Sequence, residues 1–107
     1  MGEFEEIVLL TIAVLYQEAF ALAIRMEIEK RLKRNVSIGA LHTALLRLED
    51  KGYVISSAGE GTAERAGRPK RYFEITGLGK KALQYSRDAR EGLWQSIPRQ
   101  VWNIRKA

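Results

Sequence analysis

The stretch SIGALHTALLRLEDKGYV, residues 37–54, is the part of the sequence that most clearly indicates the fold. Its apolar residues recur at steps of three and four, which predicts one inward-facing stripe of a helix formed by Ile38, Leu41, Leu45 and Leu48. A helix over residues 37–51 is predicted, because Ser37 can cap its N-terminus and Gly52 can end it. Its outer side then carries Gly39, His42, Thr43, Leu46 and Arg47.

Two more helices are predicted before this stretch, and a β-hairpin and a long helix after it. The predicted helices are 4–17, 19–32, 37–51 and 77–95, and the strand-like runs are 53–56 and 71–76. The segment between the runs is rich in glycine and should be a mobile loop. This order is typical of a winged helix-turn-helix, a mainly α fold with a small hairpin (α+β). We expect a DNA-binding domain at 1–76 and a dimerisation helix and tail at 77–107.

Composition excludes several kinds of site. The 107 residues fit one domain and contain no cysteine and a single histidine, His42, so disulfides, thiol catalysis and multi-histidine metal sites are excluded. No paired acid and base suggests catalysis, and we expect neither an enzyme nor a cofactor. The acidic start lacks the features of a secretory signal, and the apolar run 7–16 is too short to span a bilayer. A cytoplasmic protein without membrane contact is expected.

The positive charge lies after residue 30. Residues 1–30 hold six acids and two bases, whereas residues 31–107 hold sixteen bases and seven acids, within a chain of net charge +5. This asymmetry favours a polyanionic partner, although charge that merely keeps the protein soluble explains it equally well. The acids Glu5, Glu6, Glu27 and Glu29 are interpreted as solvated side chains on polar helix faces.

Double-stranded DNA is the polyanion that best suits this layout, since a helix fits the major groove and a basic hairpin can follow the backbone. The predicted contacts are Ser37, Gly39, His42, Thr43 and Arg47 from the helix, and Arg68, Lys70 and Arg71 from the hairpin motif GRPKR at 67–71. Other interpretations stay open: Ser37 as only a cap, Arg47 and the loop as solvated charges, His42 as an ordinary surface residue. A winged-helix module that binds proteins is the main alternative function, and a small ligand-binding or enzymatic domain the second.

The sequence also resembles the PadR family of bacterial transcriptional regulators. The resemblance rests on four segments in order: GEFEEIVLL (2–10), AIRMEIE (23–29), residues 37–54, and GRPKRYFEIT (67–76) with Gly79 following. It departs from the family at His42, where a tyrosine is usual, and near 21–22, where an aromatic residue and a glycine are usual.

The resemblance implies a homodimeric repressor that binds a palindromic operator through the contacts above. It also implies a dimer interface formed by the first and last helices, for which the candidate residues are Phe4, Val8, Leu83, Leu93 and Trp94. Some relatives release DNA when a small aromatic compound binds near that interface. Trp94 is the candidate for stacking on such an effector, and packing of Trp94 in the dimer core is the alternative.

Overall fold

The computed structural model describes residues 1–59 and 70–103. Within them the elements are α1 (Glu3–Leu15), a short 3₁₀ helix (Tyr16–Glu18), α2 (Ala21–Leu32), α3 (Ile38–Asp50), β1 (Val54–Ala58), β2 (Arg71–Ile75), α4 (Gly77–Ser96) and α5 (Arg99–Trp102). The predicted fold class, mainly helical with one antiparallel hairpin, is confirmed. Most of the predicted loop lies outside the described residues.

The core is formed where α1, α2 and α3 pack against each other and against the hairpin. Its largest fully buried side chains are Val8, Leu9, Ile12, Ile24, Ile28, Leu41, Leu48 and Val54. The predicted first helix ran two residues too far, because Tyr16 adopts a φ of 55° and ends α1 there. Ile38, which is predicted to face inward, is instead exposed, and so is Leu22, since both stand in the first turn of their helix and at the edge of the core.

The hairpin is attached to the helices on one side. Val54 pairs with Ile75 at the end that adjoins α3 and α4, and Ala58 pairs with Arg71 at the opposite end. The hairpin is the wing of the fold, and its Ala58–Arg71 end, beside Lys70, is named the wing base. The segment between the 3₁₀ helix and α2 runs beside β2, where the Phe73 amide donates to the Ala19 carbonyl at 2.9 Å. This attachment fixes the base of the wing against the helical core.

The start of α4 is held by hydrogen bonds at the Val54–Ile75 end of the hairpin. The Thr76 hydroxyl accepts from the Gly79 amide at 3.0 Å and donates to the Gly52 carbonyl at 2.6 Å, so it caps α4 and closes the turn after α3. A Cβ on Gly79 would collide with the backbone carbonyl of Tyr53. Glycine is therefore required at this close approach, rather than merely tolerated in the helix.

Most of α4 extends beyond the core, and Gly79 is its one buried residue. Leu93 is 72% exposed and Trp94 is 65% exposed, so the described part of one chain leaves most of this apolar surface uncovered. Phe4 and Leu83 are partly buried against the core. Val8 is completely buried inside the protomer, because it lies on the inner face of α1. Its assignment to a dimer interface is therefore wrong.

Candidate nucleic-acid interface

Helix α3 presents an exposed outer face that begins at a well-formed cap. The Ser37 hydroxyl accepts from the Ala40 amide at 3.1 Å, as the sequence predicts. Gly39, His42, Thr43 and Arg47 are all exposed. Nothing lies within 4 Å of a Cβ built on Gly39, so the first turn of α3 is open to a close neighbour. The predicted helix contacts therefore share an accessible surface.

A groove joins this face to the base of the wing. It has a volume of about 520 Å³, and one wall is formed by α3 and the other by the start of β2. Its lining includes Ile38, His42, Leu46 and Glu49 from α3 and Lys70, Arg71 and Phe73 from the hairpin, with Phe20, Ala21 and Leu22 at the start of α2. The outer side of α3 and the wing base thus border one continuous surface.

Neighbouring side chains hold the two described wing cations in place. The Lys70 ammonium lies 4.0 Å from the centroid of the Phe20 ring, a cation–π contact. The Arg71 guanidinium donates to the Ser56 hydroxyl at 2.9 Å, and that hydroxyl donates to the Glu49 carboxylate at 2.6 Å. This chain of hydrogen bonds connects the wing base to α3. The third predicted wing cation, Arg68, lies outside the described residues.

Arg47 is exposed but is paired with an acid from α1. Its guanidinium lies 3.6 Å from the Glu5 carboxylate, which also accepts a hydrogen bond from the Lys51 ammonium at 2.6 Å. The Lys51 hydrogen bond, followed by the contact with Arg47, holds the pKa of Glu5 below its usual value despite the opposing effect of burial. Glu5 is 8% exposed, so the expectation that it is solvated is wrong.

Glu6 is held in the same way on the other side of α1. Its carboxylate forms an ion pair with the Arg90 guanidinium at 2.9 Å and accepts a hydrogen bond from the Ser86 hydroxyl at 2.7 Å, both on α4. The prediction that Glu6 is solvated is therefore also wrong. Glu27 pairs with Arg31 and Lys30 along α2, which lowers its pKa, chiefly through the hydrogen bond from Arg31. Adjacent acids of α1 therefore connect it to α3 on one side and to α4 on the other.

These acid contacts were missed because they are non-local. Glu5 and Lys51 are 46 residues apart, and Glu6 and Ser86 are 80 apart. A possible signal in the sequence is the pair of acids within an otherwise apolar helix, since carboxylates beside buried positions need partners.

A larger groove, of about 820 Å³, lies between α1 and α4. Leu10 and Ala13 of α1 and Leu83 and Trp94 of α4 supply apolar lining, and charged residues, among them Glu6 and Arg90, line it as well. Trp94 stacks on Trp102 of α5, with ring centroids 6.1 Å apart and planes 6° from parallel. One face of the predicted effector-stacking residue is therefore occupied by the chain's own tail.

Comparison with known protein families identifies the family to which this chain belongs. Residues 9–85 match the model of the transcriptional regulator PadR-like family. The chain belongs to the PadR-like family of transcriptional regulators. The match covers most of α1, the helices and hairpin that form the interface, and the first half of α4. This confirms the resemblance found in the sequence, including the family's role in transcription regulation and DNA binding.

Solved structures agree with membership of the PadR-like family. A PadR-like transcription factor from Bacteroides fragilis is 26% identical, with a TM-score of 0.74 over 89% of this chain and 86% of that one. A transcriptional regulator from Clostridium thermocellum is 21% identical, with a TM-score of 0.69 over 86% and 84%. A PadR-family regulator from Eggerthella lenta is 19% identical, with a TM-score of 0.69 over 91% and 82%. No curated protein matches the chain significantly.

The described part of this PadR-like regulator contains neither a metal-binding cluster nor a membrane-spanning helix. Among residues 1–59 and 70–103, no group of three or more acidic or histidine side chains is arranged to hold a metal ion. In the same residues, no helix combines the length and the apolar character that crossing a membrane requires.

Proposed function

We propose that this chain is a sequence-specific DNA-binding repressor that acts as a homodimer on a palindromic operator. The observation that carries the proposal is the continuous surface formed by the outer face of α3 and the base of the wing. A helix with an exposed, small first turn can enter the major groove, and cations beside it can contact the flanking phosphates.

In the proposed complex, α3 of each protomer lies in a major groove. The exposed first half of the helix makes the first contacts with DNA, through Ser37, Gly39, His42 and Thr43. The centres of the two half-sites lie about 10 bp apart, or a multiple of this, as the symmetry of a dimer on B-DNA requires. His42 replaces the family's usual tyrosine and supplies a ring N–H donor for a phosphate.

The wing supplies the part of the affinity that does not depend on sequence. Changing Lys70 and Arg71 together to alanine should weaken binding to every duplex and reduce the dependence of log K on log salt by about 0.9 for each lost phosphate contact. Fluorescence anisotropy with labelled duplexes over a salt series measures this slope. The matched control changes Lys81 and Arg99 to alanine; both are exposed cations on α4 and α5, away from the groove.

The two pairs of substitutions separate DNA binding from its main alternative. A reduced slope only in the Lys70 and Arg71 variant supports the wing contact, and an equal change in both variants contradicts it. If no duplex binds the unchanged protein even at low salt, the chain is instead a winged-helix module for protein partners. Substituting Arg47 should in addition lower the affinity for an operator that the protein selects from a random-sequence pool more than the affinity for random DNA.

The C-terminal segment 77–107 is proposed to form the dimer interface with α1. The supporting observation is the exposed apolar surface of α4, at Leu93 and Trp94, next to the groove that Leu10 of α1 lines. A large apolar surface of this kind is unfavourable in water, and a second copy of the chain would bury it. Phe4 and Leu83 are partly buried against the core, and Leu83 also lines this groove.

A charge in this surface should disrupt the dimer. Leu93→Glu should give a monomer in sedimentation velocity, because an unpaired carboxylate would be desolvated in the interface. Met26→Glu is the control, since Met26 is an exposed apolar residue on α2, away from α4. A dimer that persists in Leu93→Glu would reject the interface.

An effector site is a second proposed function, and the α1–α4 groove favours it. Its volume of about 820 Å³ and its apolar lining suit a small aromatic molecule. Because Trp102 already stacks on Trp94, such a ligand has to displace Trp102 or bind beside it. Anilinonaphthalene sulfonate should therefore bind more tightly to Trp102→Ala than to the parent, measured by dye fluorescence. Equal affinity would contradict this site.

A further inference from the structure

The groove between α3 and the wing contains apolar side chains that a phosphate backbone cannot use. Leu46 is 61% exposed, Leu22 is 48% exposed and Ile38 is 47% exposed, and all three line this groove. Ile38, His42 and Leu46 follow one another at four-residue steps, so they form a ridge along one side of α3. The surface proposed to face DNA is therefore partly hydrophobic along its length.

The cations beside this ridge restrict what can cover it. Lys70 and Arg71 line the same groove and suit a polyanion rather than a membrane or an apolar protein surface. Within duplex DNA, the sugar and phosphate backbone offers no methyl group to such side chains. In the major groove, the C5 methyl of thymine is the apolar group that the base edges present.

We propose that Ile38 and Leu46 contact thymine methyl groups in the major groove and so make the chain specific for A·T pairs at defined operator positions. The inference rests on the proposed DNA-binding function and adds the base that the ridge recognises. His42, between the two apolar residues on the ridge, is then placed to donate to a base edge or to a phosphate. Glu49, whose carboxylate accepts from Ser56, borders the far end of the ridge.

Replacing thymine with deoxyuridine tests this contact directly, because it removes the methyl and keeps the base pair and the charge. The probe is a duplex that the protein itself selects from a random-sequence pool, with thymines replaced one at a time. The unchanged protein should bind about three- to fivefold more weakly for each contacted methyl lost, the effect of burying one such group. Ile38→Ala or Leu46→Ala should abolish this difference at its own position.

The control variant is Ile55→Ala, which shortens an exposed apolar residue of β1 that does not line the groove. It should keep the full deoxyuridine effect. The inference is overturned if the unchanged protein binds the thymine and deoxyuridine duplexes equally. It is also overturned if Ile38→Ala and Leu46→Ala both keep the parent's ratio of affinities for these two duplexes. A protein that binds neither duplex overturns the proposed function and this inference together, so the two failures are distinguishable.

Discussion

Glu5 should contribute substantially to stability although it stands in the first turn of a surface helix. We compare Glu5→Ala with Glu3→Ala, because both acids lie in the first turn of α1 and interact alike with its dipole. Glu3 is exposed, whereas Glu5 is 8% exposed and contacts Lys51 at 2.6 Å and Arg47 at 3.6 Å. The difference in unfolding free energy between the two variants therefore measures the contribution of the contacts between α1 and α3.

The expected loss for Glu5→Ala is about 1.5–3 kcal/mol, the range for a hydrogen bond to a charged group. It should stay below the 3–5 kcal/mol typical of a fully buried pair, because Lys51 and Arg47 are partly exposed and can be rehydrated. Glu3→Ala should cost less than about 0.5 kcal/mol. For a domain of this size, each kcal/mol lowers Tm by about 4–8 °C.

The pH dependence provides a second measure of the same contact. The pKa of Glu5 is lowered in the folded protein from its usual value of 4.5, chiefly by the hydrogen bond from Lys51. Its contribution is therefore complete above pH 4.5 and is lost as the pH falls through the lower folded value. The difference in stability between the parent and Glu5→Ala should be constant near neutral pH and shrink in acid.

Thermal unfolding followed by circular dichroism measures both effects, at one protein concentration because association would shift Tm. Equal Tm values for Glu5→Ala and Glu3→Ala would show that the contacts of Glu5 with Lys51 and Arg47 do not stabilise the fold. So would a difference between the parent and Glu5→Ala that does not change in acid.

Three further outcomes are expected from the local geometry. Gly79→Ala should destabilise the protein markedly, whereas Gly77→Ala, with no atom within 4 Å of the added Cβ, should be neutral or stabilise by up to about 1 kcal/mol; urea unfolding compares them. Ser37→Ala should cost about 1 kcal/mol in the same assay through the lost cap, and an unchanged midpoint would contradict this. Trp102→Ala should change the near-ultraviolet circular dichroism of Trp94 with little loss of core stability, and an unaltered spectrum would show that the rings do not stack.

Local pattern predicted most of the fold. The three- and four-residue spacing, the Ser37 cap and the strand-like run at 71–76 depend only on neighbours in the chain, and the structure agrees with them. Ile38 was misjudged because periodicity gives the direction of a side chain but not how far the core extends. Val8 was assigned to a partner because α1 is apolar on most sides, and only packing distinguishes the inner side from the outer one.

The helix and strand types, the cap of the proposed recognition helix and the family are readable from the chain alone, since each of these follows from short-range order. The folded arrangement was needed to find that Glu5 and Glu6 connect α1 to α3 and α4, and that Ile38 and Leu46 share a groove with Lys70 and Arg71. The physical reason is that these contacts join residues far apart in the chain. Their partners are chosen by the packing of whole elements, which no local spacing encodes.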